Sequence, residues 1–151
     1  MRRSIGVIAV LLSIICLPDP MHGQQGGVIV GTQEPPESGF ALGVNYPNPF
    51  ATETRIPFEL FERLFAEGRP AVVSIRVFDI LRQYVASPTT LGHPAGDGTP
   101  VIDLEYMTPG RHEAYWDGLD RSGRPVSSGV YILELTVNGR SEIRRVFVSG
   151  E

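Results

Sequence analysis

His112 and Glu113 adjoin in the run RHEAYWDGLD, and Asp117, Asp120 and Ser128 follow shortly after. Imidazole, carboxylate and hydroxyl are the parts of a nucleophilic site: the imidazole takes the proton and the carboxylate orients it. His112, Asp117 and Ser128 are the members such a site would use. The run alternates as a strand does, however, and neighbouring strand residues face opposite ways, so His112 and Glu113 cannot act as a pair. No nucleophile elbow, metal-ligand spacing or phosphate-cradling glycine loop surrounds them. The expected place of His112 is structural, packed beside Trp116. The chain is expected to be no enzyme, with no catalytic or cofactor-binding residues and no cofactor.

Asp117 and Asp120 also offer oxygens of the kind a hard cation takes, and a calcium loop is the alternative to consider. No third carboxylate stands nearby at loop spacing. Their expected work is turn chemistry: short carboxylates accept backbone N–H groups, beside Gly118, Gly123 and Gly129. No metal ligand is assigned. His93 lies in a separate loop, and His22 falls within the leader.

The elements that must position these residues are strands. TRIPFEL places Ile56, Phe58 and Leu60 on one face, with Pro57 marking an edge strand or a bulge. FERLFAEG has the spacing of one or two helical turns. AVVSIRVFDI turns Val73, Ile75 and Val77 one way, with Val72 and Phe78 on the other. RQYVA, VIDLEY, RHEAYW, VYILELTV and EIRRVFV complete about seven strands. Asn138-Gly139 predicts a tight hairpin, since both central residues of that turn take positive φ. Ser87–Pro100, with three prolines and three glycines, reads as a loop. No helix-length periodic segments separate the strands, which excludes a parallel α/β fold. The fold class is all-β, an antiparallel sandwich.

The opening MRRSIGVIAVLLSIICLPDP has a basic start, a short apolar run and a proline stop, as a secretory signal does. The expected domains are a signal peptide over 1–23, a flexible linker over 24–43 and the sandwich over 44–151. A retained membrane anchor is the alternative, and the run is short for a stable span. A lipid anchor at Cys16 would need a small residue where Ile15 stands. Cys16 is the one cysteine, so the exported chain relies on its packed core, without disulfides. The basic residues are all arginine and scattered, and the formal charge is −4. That balance excludes nucleic acid as the default partner.

YPNPF (Tyr46, Pro47, Asn48, Pro49, Phe50), TRIPFEL, VSIRVFDILRQYV, PGRHEAYWDGLDRSGRPVSSGVYILEL and EIRRVFV occur in that order. Together they resemble the C-terminal sorting domain of type IX secretion cargo, and equally the immunoglobulin-like domain of the flagellar hook-capping protein. The resemblance covers Val44 to Ser149. It implies a seven-stranded immunoglobulin-like sandwich, exported to the periplasm, outer-membrane surface or extracellular space, whose partner is a protein. That partner is outer-membrane secretion machinery in the first case and like subunits in the second. It implies scaffold roles for Tyr46 to Phe50, Gly110, Trp116, Asp117, Gly118, Asp120, Gly123, Gly129 and Tyr131. It implies a recognition strand of Ile143, Arg144, Arg145, Val146, Phe147 and Val148, which fits the way a free strand pairs with a partner's sheet edge. The chain departs from the pattern at Arg82, where the family has glycine, so the turn there is expected to take other angles or be longer, in apparent insertions at Phe61–Pro70 and Ser87–Pro100, and in the short interval between leader and YPNPF.

Overall fold

The computed structural model describes residues 34–150. The signal reading, Cys16 and the first half of the linker, 24–33, lie outside them. The described residues form nine strands and one 3-10 turn in two antiparallel sheets. In chain order the strands are β1 (Phe40–Leu42), β2 (Thr54–Leu60), β3 (Ala71–Phe78), β4 (Tyr84–Ala86), β5 (Thr89–Leu91), β6 (Leu104–Tyr106), β7 (Gly110–Trp116), β8 (Gly129–Val137) and β9 (Arg140–Val148). One sheet runs β1-β2-β7-β5. The other runs β4-β3-β8-β9, with β6 on the same edge of β3 as β4. Among the described residues no helix is long and apolar enough to cross a membrane.

Period-two burial sets the layers. Ile56, Phe58 and Leu60 face Val73, Ile75, Val77, Leu133, Leu135 and Val137 across the interior, all essentially without solvent contact. These are the alternations the sequence displays, because a half-buried antiparallel strand hides every second side chain. The hairpin at Asn138-Gly139 has φ of 48° and 81°, as its two-residue loop requires. Asn138 also ties it to β3: its Oδ1 accepts from Val72 N at 2.9 Å and its N–H donates to Val72 O at 3.0 Å.

Four expectations change. The sandwich starts before residue 44, since Phe40–Leu42, assigned to the linker, forms β1 with Phe40 and Leu42 buried. Three residues are too few to display a period. The 87–100 segment is likewise not all loop: Thr89–Leu91 crosses to pair with β7. There Thr90 is buried and its Oγ1 donates to Gly96 O at 2.7 Å. Pro57 lies in an interior strand rather than at an edge. Its carbonyl accepts from Gly43 N at 2.8 Å on the β1 side. A strand residue's N and O point the same way, so the missing N–H costs no bond to β7. Finally, Arg82 keeps the left-handed turn that glycine would favour, with φ of 64°.

Candidate functional site: the entry turn and the edge of β9

The Tyr46–Phe50 stretch is a clasp. Its start is fastened to β2 by reciprocal Tyr46–Arg55 backbone bonds of 2.9 and 2.8 Å. Asn45 Nδ2 donates to Thr54 Oγ1 at 2.9 Å, and that hydroxyl donates to Pro47 O at 2.9 Å. Both X–Pro bonds, at Pro47 and Pro49, are cis. The turn then delivers Phe50 into the core, edge-on to Trp116 with centroids 5.2 Å apart. Trp116 meets Tyr131 edge-on at 5.7 Å and donates its indole N–H to Leu119 O at 3.0 Å. Tyr131 in turn donates to Ser127 O at 2.8 Å.

The loop after β7 has no room for a Cβ at Gly118, where it passes the clasp. A Cβ on Gly118 would stand 2.9 Å from Thr52 O, at a φ of 68°. Asp117 Oδ1 accepts from Leu119 N at 3.1 Å. Asp120 Oδ1 accepts from Ser122 N at 2.8 Å, Ser122 Oγ at 2.6 Å and Arg124 N at 3.1 Å. The Ser122 hydroxyl first, then the backbone donors, hold the Asp120 carboxyl down at about 2. Both carboxylates are thus spent on closing turns. Gly123 belongs to the same turn, donating to Asp120 O at 2.9 Å. Gly110 and Gly129 open β7 and β8.

The far end of the clasp reaches the last strand. Phe147 N donates to Asn48 Oδ1 at 3.0 Å, Phe50 N donates to Phe147 O at 3.0 Å, and Ser149 N donates to Phe50 O at 2.8 Å. Phe147 therefore aims its backbone groups away from β8. Alternate strand residues share that direction, so Arg145 and Ile143 aim theirs to the same edge, where no backbone partner meets them among the described residues. The six residues expected to form a recognition strand divide accordingly. Val146 and Val148 are core. Ile143, Arg145 and Phe147 turn outward, with Ile143 52 % and Phe147 43 % exposed. Arg144 turns inward toward β1. Its guanidinium donates to Leu42 O while Glu142 Oε2 accepts from Leu42 N at 3.0 Å. Two side chains thus occupy the open backbone of β1 as a strand would. Sequence reading missed Glu142 because the register that puts it beside β1 depends on how the two sheets meet.

His112 does not pack beside Trp116. Both point inward from β7, but four residues apart, about 13 Å along a strand. His112 lies instead against Phe58, centroids 5.5 Å apart, and Tyr106, 4.7 Å. His93 meets the other side of Tyr106 at 4.5 Å and bonds Glu105 O through Nε2 at 3.0 Å. His112 Nε2 is buried without a partner among the described residues. Burial foremost lowers the His112 pKa, opposed by a bond to the Thr108 backbone and assisted by His93. The imagined triad does not assemble. His112 is mid-strand, Asp117 lies past the strand's end and is bound to Leu119, and Ser128 precedes β8.

No protein-family model matches this sequence, and no curated protein matches it. Two solved structures are similar over 74 % of the chain. One is dimeric latent PorU from Porphyromonas gingivalis, at 15 % identity and TM-score 0.47. The other is PorZ from the same organism, described as an essential surface component of its type IX secretion system, at 18 % identity and TM-score 0.41. The chain spans 10 % of the length of the first and 12 % of the second.

Proposed function

We propose that this chain is a non-catalytic, exported recognition module, a secretion-sorting domain whose β9 edge is read by outer-membrane machinery of the type IX kind. The observation that supports it most is the open stretch of β9. Ile143 and Arg145 present N–H and C=O groups at a sheet edge, with exposed side chains alternating alongside. Strand addition draws affinity from such backbone groups and selectivity from the alternate side chains. The order of motifs from YPNPF to EIRRVFV supplies the kind of partner. On this reading the clasp fixes one end of β9 and the Glu142–Arg144 pair shields β1, leaving a short, defined docking edge.

Deleting β9 is a poor test, because Val146 and Val148 would leave the core with it. Edge substitutions separate recognition from folding. Proline at an outward-facing N–H removes a donor that β8 does not use, and a charge on an edge discourages pairing. Residues 34–151 are placed behind an inert exported reporter in a host with type IX machinery. Surface display is expected, with strong loss in both Arg145→Pro and Ile143→Lys while cooperative melting persists. Periplasmic retention of the unaltered fusion, or full display of both variants, would refute the proposal. Retention together with self-association through β9 would favour the structural, hook-cap type of module.

A further inference from the structure

The β3–β4 turn carries the two most exposed large hydrophobic residues of the described chain, Ile80 at 70 % and Leu81 at 73 %. They are not on a floppy tip. Asp79 Oδ1 accepts from Leu81 N at 2.9 Å and Gln83 N at 2.8 Å. Asp79 N donates to Gln83 O and Arg82 N donates to Asp79 O, each at 3.0 Å. The turn is closed on itself from inside, and the cost of that closure is that both aliphatic side chains stand in water.

Beside the tip lies the 120–124 loop. Arg121 N donates to Val85 O at 3.0 Å, and the Arg121 guanidinium sits 5.1 Å from the Tyr84 ring centre. A cleft of about 430 Å³ separates loop and turn, with Asp79, Tyr84, Asp120, Arg121 and Arg124 among its walls. Asp79 and Asp120 are engaged with the backbone of their own turns, and Asp120 also faces Arg124 at 3.4 Å. Arg82 and Arg121 have no carboxylate within ion-pair distance among the described residues. A net-acidic chain thus puts an exposed apolar tip and two arginines without a carboxylate partner at one end of its sandwich.

We propose that this end rests on an anionic lipid surface: Ile80 and Leu81 enter the interfacial zone, and Arg82 and Arg121 meet headgroup phosphates. An apolar tip or a few basic residues alone hold a protein to a membrane weakly, and the two together hold it better. The Arg82 and Arg121 guanidiniums, with no carboxylate partner among the described residues, complement the negative charge of such a surface. This contact is separate from the β9 edge and goes beyond the sorting role.

The chain's one tryptophan is Trp116, which is 2 % exposed, so a second indole reports on its own position. The probe is full-length Leu81→Trp, mixed with vesicles of phosphatidylcholine or of a 2:1 mixture of phosphatidylcholine and phosphatidylglycerol. The added emission is expected to shift to the blue and to be quenched by brominated acyl chains in the mixed vesicles only. Adding Arg82→Gln and Arg121→Gln to this reporter is expected to weaken its tip insertion about fivefold per arginine at low salt. No shift on either vesicle would overturn the proposal. So would an equal shift on both, or quenching unaffected by the arginine substitutions.

Discussion

His112 shows what one residue's surroundings decide. An imidazole against Phe58 and Tyr106, with Nε2 buried and unpartnered, resists protonation, and burial lowers its pKa from the usual value. The unfolded chain then binds a proton more readily than the folded one. Stability contributed by neutral His112 is present above the unfolded pKa of about 6.5 and is lost as pH falls through the window below it. The neighbouring His93 adds to the effect. The expected outcome is a melting temperature that falls between pH 7 and pH 5, with a smaller fall in His112→Phe. Thermal melts at the two pH values check it; equal falls would mean that other groups set the acid response. The residue types at 93, 106 and 112 were plain in the sequence, but their meeting was not. It depends on a loop folding back onto β6, and no local period records that.

The long strands were legible from their alternation, and the short ones only where a longer apolar run contained them. Five strands, β2, β3, β7, β8 and β9, formed where their alternation placed them, while RQYVA and VIDLEY shortened to the three-residue β4 and β6. β1 and β5, three residues each, are held by pairing with longer neighbours and not by any pattern of their own. The entry turn was legible as a motif and opaque as a mechanism, since its partners, Trp116 and Phe147, lie far along the chain. Phe50 joins all three. It fills the space beside the indole, its N–H and C=O bond the end of β9, and Gly118 makes way for it. Truncating a buried phenylalanine costs about 3–5 kcal/mol. Phe50→Ala is expected to lose stability in that range, read as a lowered urea midpoint by Trp116 fluorescence. A loss below 1 kcal/mol would mean that the clasp is ornamental. The inward face of β9 illustrates the limit of pattern reading. EIRRVFV alternates, but only the meeting of the sheets shows that Arg144 serves β1 while Arg145 faces out.

At the scale of the whole molecule, the two sheets meet at their β1 and β9 edges through side chains and one short bridge, and are otherwise joined by the core. The Phe50–Val148 bridge is parallel, unlike the antiparallel ladders around it. Pulled apart by residues 34 and 150, the domain would load the bonds from Asn48 and Phe50 to Phe147 and Ser149 side by side, in shear, instead of peeling them one after another. Single-molecule stretching is expected to give one abrupt rupture, at lower force in Asn48→Ala; a gradual extension would contradict this. A chain pulled from its C-terminal end would therefore load this parallel joint at the outset, and the grip of a single asparagine would help set the force it withstands.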